Sequence, residues 1–242
     1  MRYSRQVRFL ENNCQINSKE NNFESKFQSL FKDKKIILVG CGGIGSVFAE
    51  LLIRGGFLNL TLVDNDLIDE TNLQRQIYFE SDIGNFKSKS LKEILMKINS
   101  KSKIKVNCDV LTSDNIENLC KDSDLIIDAT DNFETRKIIN KYCEKNKKDW
   151  LYTGAVKSEI ICCLFKGKLK LFSKVFSNNI KDESCCDVGV LSSTTYTAAS
   201  FGYNQVLKYF IDMGNKSNEN NKKTTLIKLN LWTNKIFEIK VK

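Results

Sequence analysis

Gly40-Cys41-Gly42-Gly43-Ile44-Gly45 directly follows an apolar run, Lys35 to Val39, and opens a stretch with helical spacing. Missing Cβ atoms let a turn of backbone approach a phosphate, and the N-terminus of the following helix supplies N–H donors to it. Asp64 stands about 20 residues further on, at the end of a second apolar run, where a carboxylate can bond ribose hydroxyls. These features predict a bound nucleotide, but they do not separate NAD, FAD and ATP. A second set shifts the balance: Asp64-Asn65-Asp66, then Thr71-Asn72-Leu73-Gln74-Arg75-Gln76, then Gly84 and Lys87, then Asp128-Ala129-Thr130-Asp131-Asn132. Hydride transfer has little use for an arginine, a lysine and several carboxamides around the phosphates. Phosphoryl or nucleotidyl transfer needs them, because charge builds on the phosphorus oxygens and fixed cations stabilise it.

Those residues require a scaffold that brings them to one edge. Lys35 to Val39 reads as a buried strand, Ile44 to Arg54 as a helix and Asn59 to Asp64 as a second strand, which together make a βαβ unit. The alternation continues with a helix over 87–99, a strand near 103–110, a short helix near 114–121, a strand over Asp124 to Asp128 and a helix over 133–146. This pattern predicts an α/β fold: a Rossmann-like, doubly wound, mostly parallel sheet with helices on both faces. Each chemical residue then lies just past a strand's carboxyl end or opens the next helix, so all converge on one crevice.

After Trp150 the texture changes. Leu151 to Val156, Glu159 to Phe165 and Lys168 to Phe172 read as strands joined by short turns, and a polar segment over 174–187 follows. A helix over 194–212, a polar tract from Gly214 to Lys223 and a hairpin, Thr225 to Leu231 with Ile236 to Val241, complete the chain. These last strands are expected to extend the same sheet antiparallel rather than form a second domain. Phe23, Phe27, Leu30 and Phe31 have the spacing of a short amphipathic helix ahead of the first strand. We therefore expect one domain over 1–242. An N-terminal arm and helix occupy 1–34, the nucleotide half 35–150, and a partner-binding half 151–242 that includes a loop at about 174–190.

Composition removes several alternatives. There is no histidine, so mechanisms that need an imidazole base or nucleophile are excluded. Nine cysteines are scattered without a Cys-x-x-Cys pair, which fits reduced thiols rather than a secreted disulfide framework and disfavours a common zinc site. No apolar run reaches the roughly 18 residues of a membrane span, and the start MRYSRQVRFLENN lacks the apolar core of a signal peptide, so the expected location is cytoplasmic. The net charge of +9 could attract an acidic partner or a nucleotide. Lysines mixed with asparagine and without a recognition motif argue against nucleic acid as the partner.

With these motifs assembled, the chain resembles the ThiF/MoeB/HesA family, relatives of the ubiquitin-activating enzymes. Arg2-Tyr3-Ser4-Arg5-Gln6, Gly40 to Gly45, Asn72 to Gln76 and Asp128 to Asn132 match the family's motifs in order and spacing, and the resemblance runs from Arg2 to about Val241. It implies ATP-dependent adenylation of the C-terminal carboxylate of a ubiquitin-like sulfur-carrier protein ending in Gly-Gly. By resemblance, Gly40, Gly42, Gly43 and Gly45 form the nucleotide loop, with Asp64 on the ribose and Asp66 beside it. Asn72, Arg75 and Gln76 hold the triphosphate, Lys87 contacts phosphate, and Asp131 is the carboxylate associated with Mg²⁺. Arg5 matches an arginine inserted onto the phosphates from the neighbouring subunit, which implies a homodimer. Cys185 falls where some members carry a cysteine that bonds covalently to the carrier. The competing reading is that Cys185 and Cys186 are inert packing residues.

The chain departs from the family in the cysteine pairs that hold its structural zinc. The stretch Gly167 to Phe172 has no Cys-x-x-Cys, and the sequence stops at Lys242 before the second pair, so zinc is expected to be absent. Three other readings compete with the main one. They are a nicotinamide-dependent oxidoreductase on the same glycine loop, a tRNA-modifying dehydratase of the same family, and a partner-binding subunit that has lost catalysis. The chemistry implied is self-consistent without a base, because a terminal carboxylate is already ionised at neutral pH.

Overall fold

The computed structural model describes residues 2–13, 30–167, 171–176, 189–214 and 224–241. Among the described residues, eight strands form one sheet in the order β3-β2-β1-β4-β5-β6-β7-β8. They are β1 (Lys35–Val39), β2 (Asn59–Val63), β3 (Lys103–Asn107), β4 (Leu125–Asp128), β5 (Trp150–Val156), β6 (Glu159–Phe165), β7 (Thr224–Asn230) and β8 (Lys235–Val241). The first five run parallel to one another, and β5–β6, β6–β7 and β7–β8 pair antiparallel. The expected mostly parallel sheet with an antiparallel extension is the one observed.

Helices cover both faces of the parallel part: α1 (Ser4–Asn13), α2 (Gly43–Arg54), α3 (Lys87–Ile98), α4 (Ile116–Cys120), α5 (Phe133–Asn146), α6 (Phe172–Val175) and α7 (Ser192–Gly214). Successive residues of a strand point to opposite faces, and here the alternation sorts them into two cores. Ile36 and Leu38 of β1 pack with Phe48 and Leu52 of α2 and with Val206 and Phe210 of α7. Ile37 and Val39 join Ile139 and Cys143 of α5, Trp150 and Phe165 in the other core. Burial on both faces is why these strands read as unbroken apolar runs.

The strand expected over Lys168 to Phe172 lies mostly outside the described residues, and its described end is not a strand. Residues 168–170 lie outside the described set, and Phe172–Val175 forms a helical turn rather than the end of a strand. Phe172 and Phe176 are one turn apart; Phe172 packs tilted or edge-on against Trp150 and Phe165, and Phe176 against Phe165 and Phe172, so burial of two aromatic rings favours a helical turn here. The helix proposed around Phe23 and Phe27 also lies outside the described residues, apart from a short helical stretch at Leu30 and Phe31. No helix among the described residues is long and apolar enough to cross a membrane.

Candidate active site

Register places the site. Val39, Val63 and Asn107 lie in one row across β1, β2 and β3, and Asp128 of β4 is the partner of Val39. The residues that follow each of these therefore emerge together. β1 lies between β2 and β4, so the strand order reverses beside it, and a doubly wound sheet opens its ligand crevice there. A cavity of about 820 Å³ occupies that edge, a size in the range of small-molecule sites.

Gly40 turns the chain out of β1 at φ 89°, a left-handed conformation that favours glycine, and a Cβ there would come within 2.7 Å of the Ala129 carbonyl oxygen. A Cβ on Gly45 would overlap the Gly40 carbonyl oxygen. The loop thus folds tightly enough to leave the first turn of α2 facing the cavity, with Gly40, Gly42 and Gly43 in its wall. The carboxylate of Asp64 fixes this loop from below. Its Oδ2 accepts from the Cys41 N–H at 2.6 Å and its Oδ1 from the Asp66 N–H at 2.8 Å. Burial pushes the Asp64 carboxyl above the usual aspartate range, against the two backbone donors that pull it down.

Lys87 opens α3 and is only 7% exposed, with Nζ 2.7 Å from Asp66 Oδ2. The Tyr78 hydroxyl lies 2.7 Å from the Cys41 carbonyl and 3.2 Å from that of Lys87, tying the glycine loop to the start of α3. Arg75 donates from Nη1 to the Thr71 carbonyl at 2.9 Å and lines the cavity. Asn72 closes the 3₁₀ turn Glu70–Asn72 by accepting from the Asp69 N–H at 3.3 Å. Gln76 is 6% exposed, and its Oε1 has no hydrogen-bond partner among the described residues.

At the end of β4, Asp128 is fully buried, and Arg136 of α5 pairs with it at 3.3 Å. Burial raises the Asp128 carboxyl, with Arg136 and Thr130 opposing. Asn132 caps α5 by accepting from the N–H groups of Glu134 and Thr135, so its carboxamide oxygen is committed to the helix. Asp131 stands between, exposed in the cavity wall, with no side-chain partner among the described residues. Magnesium bound to nucleotide takes one or two protein carboxylates and keeps phosphate oxygens and water as its other ligands. A single open carboxylate beside the glycine loop fits that ion.

Sequence reasoning placed Gly40, Gly42, Gly43, Asp64, Asp66, Asn72, Arg75, Gln76, Lys87 and Asp131 at one site, and all ten line the cavity; Gly45 shapes the loop from behind. Arg5 is not in that wall. Its helix is anchored by Gln6 to the Gly55 carbonyl and the Tyr203 hydroxyl, and by the Tyr3 hydroxyl to Asn99. Gly55 caps the far end of α2, a helix-length of about 18 Å from the glycine loop. Cys185 and Cys186 lie outside the described residues. The reading from sequence missed Tyr78, Arg136, Tyr152 and Thr195. Only Arg136 carried a signal, as a cation one turn beyond a helix cap.

Val110, Leu111 and Leu67 give one end of the cavity an apolar slot able to take a base, and Gly154, Ala155, Ile161, Val190 and Thr195 line the other end. Among the described residues, three cationic side chains in the wall, Arg75, Lys87 and Arg136, stand with five carboxylates, Asp64, Asp66, Asp109, Asp131 and Glu159. A polyanion would need further positive charge from outside this set.

The ThiF family model matches residues 14–242. A probable molybdopterin-synthase adenylyltransferase of Porphyra purpurea is 35% identical over 177 residues, covering 68% of this chain and 44% of that protein. Ubiquitin-like modifier-activating enzyme 5 of Caenorhabditis briggsae is 30% identical over 209 residues, 77% of this chain and 48% of that one. The sulfur carrier protein ThiS adenylyltransferase of Bacillus subtilis is 34% identical over 134 residues, 54% of this chain and 40% of that protein. The chain spans about half the length of the curated relatives it matches. Among solved structures, Escherichia coli MccB with ATP aligns with a TM-score of 0.75 and 22% identity over 99% of this chain and 78% of that one, a likeness of fold.

Proposed function

Because the chain belongs to the ThiF family, we propose that it uses ATP to adenylate the C-terminal carboxylate of a ubiquitin-like sulfur-carrier protein, with release of pyrophosphate. The observation that supports this most directly is the meeting of the glycine loop, Asp64, Arg75, Gln76, Lys87 and Asp131 in one cavity wall. The α2 N-terminus and the loop amides face the phosphates, Asp64 takes the ribose, and the slot at Val110 and Leu111 takes the base. The attacking carboxylate enters from the end lined by Gly154, Ala155 and Thr195, where small side chains leave room for a narrow peptide tail. Alignment of that carboxylate with the α-phosphorus does most of the work, and Arg75 and Lys87 neutralise the charge that develops on the phosphate oxygens. Asp131 would hold magnesium, which would supply Lewis-acid neutralisation of charge on the phosphates.

Geometry supports two further parts of the proposal. A shallow cleft lined by Ile161, Leu226, Lys228, Phe237 and Ile239 shares Ile161 with the main cavity, so a carrier whose tail fills one has its folded body over the other. The surplus of carboxylates in the wall and the anchoring of α1 at the far end of α2 favour a homodimer, in which Arg5 of a second copy supplies the missing positive charge.

The test is ATP–pyrophosphate exchange with a carrier ending in Gly-Gly. Exchange should depend on that carrier and stop when its terminal carboxylate is amidated. Exchange that ignores the carrier, or none with any carrier of this type, would remove the proposal.

A further inference from the structure

Arg136 occupies a position that the reading above does not use. It lies one turn inside α5, is 8% exposed and forms part of the cavity wall. Its Nε donates to Asp128 Oδ2 at 3.3 Å and its Nη2 to the Thr130 carbonyl at 3.1 Å. Asp128 in turn accepts, through Oδ1, from the Thr130 N–H at 2.9 Å and the Thr130 hydroxyl at 2.7 Å. Between them the two charged groups take up the backbone N–H, the carbonyl and the side chain of Thr130. On the other side of Asp131, Asn132 is fixed by its cap bonds to the N–H groups of Glu134 and Thr135, at 2.9 and 3.1 Å. Both neighbours of Asp131 are therefore immobilised while its own carboxylate faces the cavity.

The guanidinium is itself held from the opposite side. The Tyr152 ring centroid lies 4.4 Å away, with Phe133 at 5.7 Å and Phe176 at 6.0 Å. Tyr152 and Phe176 line the same cavity, so Arg136 spans from the β4 edge to the aromatic wall that α6 completes. A buried ion pair contributes little net stability, since desolvation offsets the attraction. What it delivers here is geometry: a planar donor fork that reaches Asp128 and Thr130 together, which a lysine could not reproduce.

We propose that Arg136 is a positioning residue for the magnesium–triphosphate end of the site: by locking Thr130 it sets where Asp131 presents its carboxylate. The inference rests on the nucleotide reading of this cavity. It accounts for a charge pair buried beneath a loop whose only open acid is Asp131.

The test measures ATP affinity by calorimetry, with magnesium and with EDTA, for the full chain. The variants are Arg136→Lys, the charge-neutral double Asp128→Asn/Arg136→Gln, and the surface control Arg54→Gln. Wild type and control should bind ATP about tenfold more tightly with magnesium. In the two site variants that ratio should fall to about one to two, with magnesium-free affinity within about threefold of wild type. A role confined to folding would move both affinities together, and a thermal melt of the double variant separates that case. An unchanged magnesium ratio in both variants overturns the proposal. A wild-type chain that binds no ATP overturns it and the adenylation reading alike. The expected loss of the magnesium ratio, in a chain that shows no carrier-dependent exchange, supports the positioning role while sinking only the adenylation reading.

Discussion

The two halves of the sheet treat their side chains in opposite ways. In β1 and β4 nearly every residue is buried, because helices cover both faces, so the parallel half can present chemistry only at its strand ends. In β8, Ile236, Phe237 and Ile239 are 67, 48 and 53% exposed, and Trp232 in the preceding turn is 81% exposed. Phe237 and Ile239 share one face of the strand, beside Leu226, and Ile236 lies on the other; the Phe237–Ile239 side is exposed apolar surface suited to macromolecular contact. Lys235 and Lys240 on the same edge strand guard it against pairing with other strands. The strand ends of the parallel half thus gather charged side chains around a cavity, while the edge strand of the antiparallel half exposes apolar ones, a division suited to the proposed joining of a nucleotide to a protein.

The largest effect expected from breaking this division comes at Gly45. Alanine there puts a methyl group into the Gly40 carbonyl oxygen, and both partners are backbone, so neither can swing aside. Gly45→Ala should cost about 3 kcal/mol in urea unfolding and abolish ATP binding in whatever folded protein remains. Wild-type stability with intact ATP binding would mean that the tight loop is not what shapes the strand-end pocket.

Next in size is a crossed pair of substitutions, one in each half. Arg75→Ala should lower carrier-dependent exchange about a hundredfold while leaving carrier affinity unchanged. Phe237→Asp should weaken carrier affinity about tenfold while leaving ATP affinity unchanged. Titration of each variant with both ligands reads all four combinations. If Phe237→Asp also disturbs ATP, or Arg75→Ala disturbs the carrier, the two surfaces are not separable in the way their burial suggests.

The same contrast explains what the sequence made legible. Runs such as Lys35–Val39 and Leu125–Asp128 are buried on both faces and bounded by Gly or Asp, so local pattern and tertiary role agree. Glycines and charged residues that line the cavity, such as Gly40 and Asp64, come just past such runs, so the same pattern pointed to them. Phe172 was misplaced because Lys168 to Phe172 alternates like a strand, while its destination, against Trp150 and Phe165, is set by contacts distant in sequence. α1 was missed as a helix because its buried anchors are only Val7 and Leu10. Tyr78 gave no local signal, since its partners, the carbonyls of Cys41 and Lys87, exist only once the fold has formed.

The smallest effect, and the one that separates the halves by sign, is the pH dependence of stability. Asp64 is raised above the usual aspartate value by burial, so the folded chain retains a proton that the unfolded chain has released. Stability of the ligand-free chain should then fall as pH rises from about 4 through the raised value, and Asp64→Asn should flatten that slope. Asp128, raised for the same reason, leaves part of the slope in place. In the antiparallel half Glu159 is lowered, first by its hydrogen bond from Lys228, whose Nζ lies 2.7 Å away. Its contribution is present above about pH 4.3 and is lost as pH falls through the depressed value. The pair is 37 and 40% exposed, so solvent screening holds it to about 0.5 kcal/mol. Urea unfolding from about pH 3 to about pH 7 should show Asp64→Asn changing the slope above pH 4 and Glu159→Gln changing it only below. A slope of the same sign for both variants would mean that the pocket acid is stabilised as an anion before any ligand arrives. The strand-end pocket would then hold its charge at no cost, and the contrast with the open half would lose its electrostatic basis.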